Sequence, residues 1–270
     1  MYRIPALVFT LVAIQLAACS REAAPRLVPP SERDDRAAEA FGPDAPVLAK
    51  LDGSFRLSGL DAETLGAPVT WVAIDSLGDL GLIQFETDGT GELPGAFNGR
   101  PLQQEQLAGG LRVASTRTEW MRAIGLHLTG QSDGDGVSGR ADSLQGLPPL
   151  AREVAAAPSW VLVRDMALAG RVAPPGIRDI PQIGQIMGRF DAIAVGVTPR
   201  SDTLHVELTG QPVEGASATQ IAGLLSAAAL FAGMQSTLPD RIRDIIRSTR
   251  VTTRRNRVVV TATVVNQTPR

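Results

Sequence analysis

Residues Val69 to Thr87 read VTWVAIDSLGDLGLIQFET, two apolar runs rich in β-branched residues on either side of Ser76, Leu77, Gly78 and Asp79. That is the composition of a β-hairpin with a four-residue loop. The runs suit a pleated, half-buried surface, and the turn residues tolerate unusual backbone angles. Residues Asp191 to Thr209, DAIAVGVTPRSDTLHVELT, have the same span and the same design, with a turn near Pro199 to Asp202. The offset is 122 residues at both ends, from 69 to 191 and from 87 to 209. Two readings of that offset stand: an internal duplication of two α+β modules, or two hairpins of equal length that arose independently.

The text around the hairpins alternates strand and helix. Leu111 to Ala114 is a short strand leading into Thr116-x-x-Glu119, a capping box, with the helix closed by Gly125. Trp160 to Val163 is an apolar strand after Pro158, followed by a short helical stretch to Val172. Ser217-x-x-Gln220 opens a helix to about Met234, with Ile221, Leu224, Leu225, Ala228 and Phe231 expected on one buried face. Its apolar centre, IAGLLSAAALFAGM, has 14 residues, too few to cross a bilayer, and is expected under a sheet. Asp240 caps a last helix carrying Ile242, Ile245 and Ile246. A terminal hairpin follows: Val251 to Thr253, a turn at Arg254 to Asn256, then RVVVTATVV with Val258, Val260, Ala262 and Val264 on one face. The Gly-, Ser- and Asp-rich stretch from Gln131 to Pro149 marks the boundary between halves. The expected fold class is α+β, antiparallel β-hairpins with helices packed on one face, in modules spanning 46–140 and 141–270.

Composition narrows the function. With 270 residues and 44% hydrophobic content the chain can bury a real core. Its 26 basic and 28 acidic residues leave a net charge of −2, so the chain as a whole carries no field that favours nucleic acid. Aromatics at 4%, with a single Tyr, argue against a base-stacking or sugar-stacking platform.

The first twenty residues, MYRIPALVFTLVAIQLAACS, hold one basic residue (Arg3), an apolar run from Ile4 to Ile14 and small residues before Cys19. That is the layout of a secretory signal peptide, and the run is too short for a permanent transmembrane anchor. Leu16, Ala17, Ala18 and Cys19 resemble a lipobox, the signal of the bacterial lipoprotein class. The resemblance implies that residues 1–18 are removed, that the Cys19 thiol carries diacylglycerol and that the new amine is acylated. Ser20, in place of the Asp that marks inner-membrane retention in that class, implies the periplasmic face of the outer membrane if the organism is diderm. Cys19 is the only cysteine, so internal disulfides are excluded and stability must come from packing. The segment 19–45, rich in Ala, Pro and charge without a sustained apolar period, reads as a disordered tether behind the acylated Cys. Beyond the leader, the body resembles no family of known activity.

Candidate chemistry is sparse. The histidines are His127 and His205. In TLHVELT, Leu204, Val206 and Leu208 alternate against His205 and Glu207, which places that pair on the solvated face of a strand. Asp133, Asp135 and Asp142 fit some positions of a calcium loop, but Gln131 stands where the first ligand belongs, and the alternative is a flexible polar loop. No His or Cys cluster points to zinc, and no cofactor is expected. The one charge anomaly is Arg241, Arg243, Arg247, Arg250, Arg254, Arg255 and Arg257, seven within seventeen residues against Asp244 alone. Arginine forks bind carboxylate and phosphate, so this cluster could meet lipid phosphates, lipopolysaccharide or an acidic partner; equally, it could be solvated faces paired with distant acids.

The expected function is a lipid-anchored envelope lipoprotein with a non-catalytic binding or structural role. Its partners would be the membrane, through N-terminal acyl chains, and an envelope protein, with no nucleic acid. The alternative is a carrier of a lipid or hydrophobic ligand, for which the small residues Ala192, Ala194 and Gly196 on one strand could leave space, or else pack closely against a helix. An unrecognised enzyme is the third reading.

Overall fold

The computed structural model describes residues 37, 40–41, 45–52, 69–85, 93, 95–107, 111–129, 147–167, 186–234 and 240–265. The fold is mostly antiparallel β-structure with a few helices, as an α+β chain requires. It divides into two compact units, and the division falls between Arg152 and Glu153 rather than at 140 and 141.

In the unit ending at Arg152, the chain order is β1 (Val47–Asp52), β2 (Val69–Ile74), β3 (Leu80–Phe85), β4 (Ala96–Phe97), β5 (Arg100–Pro101), β6 (Gln103–Leu107), β7 (Leu111–Ser115) and α1 (Thr118–Thr129). Five strands are hydrogen-bonded in the order β1-β2-β3-β7-β6, each neighbour antiparallel. Burial along both faces explains why β2 and β3 read as continuous apolar runs rather than alternating ones. Their hairpin closes at Ile74 and Leu80, so the loop holds five residues, Asp75 to Asp79, and not four. Asp75 shapes it: Oδ1 accepts from the amides of Leu77 at 2.8 Å and Asp79 at 2.9 Å, an Asx-type turn.

Two expectations about this unit are corrected. Thr116 does not cap α1, because its hydroxyl accepts from the Leu80 amide at 2.9 Å and donates to Asp79 at 2.8 Å; the helix starts at Thr118. Nor does Gly125 end it: an interior glycine costs about 1 kcal/mol against alanine, and the helix continues to Thr129. The tether, second, does not extend to residue 45. Ala37, Ala40 and Phe41 are helical, and Ala37 and Phe41 are buried. Alanine-rich RAAEAF is good helix sequence, and its i, i+4 spacing puts Ala37 and Phe41 on one side. The Phe41 ring stands edge-on to Trp120, centroids 5.9 Å apart at 71°. It also lies over Gly81 of β3, where a Cβ would come within 2.9 Å of Cε1. The leader and most of 19–45 lie outside the described residues.

The chain continues through α2 (Pro149–Val154), β8 (Ser159–Val163), β9 (Phe190–Arg200), β10 (Thr203–Pro212), α3 (Ala218–Gly233), α4 (Asp240–Ser248), β11 (Arg250–Arg254) and β12 (Arg257–Val265). In the unit starting at Glu153, five strands pair in the order β8-β9-β10-β12-β11, again antiparallel throughout. The expected hairpin is β9 and β10, closed by Ser201 and Asp202. Phe190 folds over Gly210, where a Cβ would meet the ring at 2.3 Å, so only glycine fits at that position of β10. The last hairpin turns through Arg255 and Asn256, both with positive φ (50° and 60°). That pair of angles belongs to a type I′ turn, whose twist matches the strands it joins.

Leaving the two-residue pieces β4 and β5 aside, both units pair their strands in the same order: first, second, third, fifth, fourth.

Candidate functional site

In the unit ending at Arg152, one cluster of polar side chains forms at the β2–β3 loop. The short β4–β5 ladder turns through Asn98 and Gly99, both at positive φ, and presents Arg100 to the buried Asp79 carboxylate. Asp79 also accepts from Thr116, and Arg117 reaches Asp75 at 3.2 Å. Burial alone would raise the Asp79 pKa. The hydrogen bonds from Arg100 and Thr116, with the charges of Arg100 and Arg117, outweigh it and hold the carboxyl below its ordinary value. Both carboxylates are engaged within the loop, so the cluster is a clamp on the hairpin.

The structure separates the seven arginines. Arg254 and Arg257 are direct cross-strand neighbours beside the β11–β12 turn. Like charges so placed repel, and Glu153 at the end of α2 offsets this by giving one carboxylate oxygen to each. Arg254 is also 3.5 Å from Glu207, and Arg257 donates to Gln211 Oε1 at 3.1 Å. These two have internal partners, as the alternative of pairing with distant acids has it for this part of the run. Glu153 lies 101 residues from Arg254 and 104 residues from Arg257 in sequence. Arg255 is exposed on the turn. Arg243 is half-buried on α4, Arg247 is exposed with Asp244 at 3.7 Å, and Arg250 is exposed at the start of β11. The Arg241 side chain lies outside the described residues, as do Cys19 and the calcium candidates Asp133, Asp135 and Asp142.

His205 and Glu207 sit half-buried on the face of β10 opposite Leu204, Val206 and Leu208. His127 lies on α1 with its side chain outside the described residues. Gly196 of β9 carries the close packing of α2: a Cβ there would stand 3.1 Å from both Val154 and Ala157. The space a carrier would have needed at Gly196 is therefore filled by Val154 at the end of that helix and by Ala157 in the turn beyond it.

The strongest surface feature is one the sequence pattern misassigned. Ser217 does open α3, its hydroxyl accepting from the Gln220 amide at 3.3 Å. The buried side, however, is Ala218, Ile221, Ala222 and Leu225, at i, i+3, i+4 and i+7. Leu224 and Phe231, expected in the core, face outward. At 100° per residue they share an outer side with Gly223, Ala227, Leu230 and Met234, all exposed. Exposure is 48% at Leu224, 68% at Leu230, 56% at Phe231 and 74% at Met234. The helix packs on α4, β11 and β12, and Gly233 at its end sits against Ile246.

No protein-family model matches the chain, and no curated protein does. Among solved structures, crystal form I of TP0453 aligns over 84% of this chain and 92% of its own length, at 9% identity and a TM-score of 0.48. Crystal form III of TP0453 aligns over 84% and 93%, at 10% identity and 0.46. Nothing about activity follows from similarity at that level.

Proposed function

We propose that this chain is a bacterial envelope lipoprotein, acylated at Cys19 and serving a non-catalytic binding or structural role. The observation that carries the reading is the leader: Arg3, an apolar run, Leu16-Ala17-Ala18 and then the only cysteine in the chain. Two or more acyl chains would hold the body at the membrane, and Ser20 favours the outer membrane where the cell has one. Metabolic labelling with a fatty-acid analogue is expected to tag the wild type and not Cys19→Ser. Equal labelling of both would refute the anchor. Crosslinking with mass spectrometry in the native envelope then identifies the protein partner.

The body is read as two modules from one duplication. What supports this is the pair of hairpins 122 residues apart, together with the shared pairing order of strands.

A further inference from the structure

We propose that the free edge of β11 takes up an extended acidic segment of a partner protein as an added antiparallel strand. The inference deepens the binding role proposed above by naming the chemistry of the protein partner. β11 is the terminal strand in the order β8-β9-β10-β12-β11 and is exposed along its length, Val251 alone being half-buried. In an antiparallel ladder, facing residues alternate between pairs that exchange both backbone hydrogen bonds and pairs that exchange none. A two-residue type I′ turn is closed by a pair of the first kind, here Arg254 and Arg257. Counting back along the ladder, Thr252 with Val259 and Arg250 with Thr261 are of that kind too. The N–H and C=O groups of Val251 and Thr253 therefore point away from β12, and no backbone partner meets them among the described residues.

The edge offers donors and acceptors together, which an extended backbone matches and a phosphate, an acceptor, does not. Charge then selects the strand. Arg250 at the start of β11 and Arg255 just beyond its end are exposed and make no ion pair among the described residues, whereas Glu153 and Glu207 engage Arg254. Arg250, Thr252 and Arg254 share one face of β11, so an added strand sets its side chains opposite them at alternate positions. An acid opposite Arg250 and another four or five residues along, ~14–17 Å away at 3.4 Å per residue, would meet both unpaired guanidinium groups. A second copy of the chain is the wrong occupant. Pairing two β11 strands through Val251 and Thr253, about a two-fold axis at Thr252, sets Arg250 opposite Arg254 of the other copy, and like charges so placed repel.

The test follows amide hydrogen exchange in the full chain, held in nonionic detergent, with a nine-residue peptide of alternating Glu and Thr as the probe. Binding is expected to slow exchange at the Val251 and Thr253 amides about tenfold when the peptide stands at ten times its Kd. Arg250→Gln and Arg255→Gln should each weaken binding about threefold, the scale of an exposed ion pair. Thr253→Pro removes an N–H that the ladder with β12 does not use, so it should abolish binding while the chain still unfolds cooperatively. A peptide of the same charge with Pro in place of each Thr lacks the N–H groups that would face Val251 and Thr253 and should not bind, a comparison that needs no variant of the chain. Absence of added protection at Val251 and Thr253 overturns the proposal. Equal binding of the proline peptide, or full competition by inorganic phosphate, reduces the contact to an anion on arginines and also overturns it. Protection that appears without peptide and grows with protein concentration assigns the edge to a second copy, with the same consequence. None of these readouts depends on the lipid, so failure here leaves the Cys19 anchor standing, and loss of the acyl label leaves the strand addition standing.

Discussion

Phe41→Ala tests whether the segment before β1 belongs to the folded body. The Phe41 ring is 6% exposed, stands edge-on to Trp120 and covers Gly81. Truncating a buried phenylalanine costs about 3–5 kcal/mol, a range that already contains its aromatic pair. The low end applies, because Phe41 sits on a short helical piece that can settle inward over part of the cavity. A loss of about 3 kcal/mol corresponds to roughly 6–12 °C for a chain of this size. Thermal and urea unfolding followed by tryptophan emission reads it, since Trp71 and Trp120 are in the same unit. Gly81→Ala supplies an internal check: its Cβ would stand 2.9 Å from the ring, so alone it should destabilise by about 1–3 kcal/mol. With Phe41 already removed, the clash disappears and the methyl fills vacated space, so the two losses should fall short of additive by at least about 0.5 kcal/mol. A chain starting at Ala45 should likewise melt lower than one retaining residues 37–41. If Phe41→Ala stays within about 0.5 kcal/mol of wild type, or the pair is strictly additive, the docking of this segment on β3 is wrong.

The clamp on the β2–β3 loop gives a pH prediction. Because the Asp79 pKa is depressed, its stabilisation is present above the unfolded value of about 3.9 and is lost as pH falls through the folded value. Asp79→Asn should therefore cost about 1–3 kcal/mol at neutral pH and flatten the acid limb of the stability curve. An unchanged acid limb in the variant would contradict the assignment. Among the arginines, Arg257→Gln should lower the melting temperature by the equivalent of about 1–3 kcal/mol, since it leaves the mostly buried Glu153 short of a partner. Arg255→Gln, on the exposed turn, should stay within about 0.5 kcal/mol; equal effects in the two variants would show that Glu153 is not the discriminating contact.

The hairpins were legible because their physics is local. Runs of β-branched residues meet at a turn whose own chemistry supplies the bend, and in β12 the alternation of Val258, Val260, Ala262 and Val264 is carried into burial. β6 was not legible: QQEQL shows no apolar period, since an edge strand exposed along its length need not bury anything, and its polar side chains discourage further pairing. Phe41 was missed because a single aromatic in Ala- and charge-rich text has no period, and the space it fills is made by Gly81, forty residues away. The arginine cluster was visible as a charge run, but the contacts of Arg254 and Arg257 depend on Glu153, whose position is a property of the fold. α3 is the sharpest case. A helix apolar on every side carries no directional signal, so the sequence defines the helix and its cap while only contact with α4, β11 and β12 selects the side that is buried. Choosing Ile221 and Leu225 for the core sends Leu224, Leu230 and Phe231 outward, and water offers those three nothing in return for their exposure.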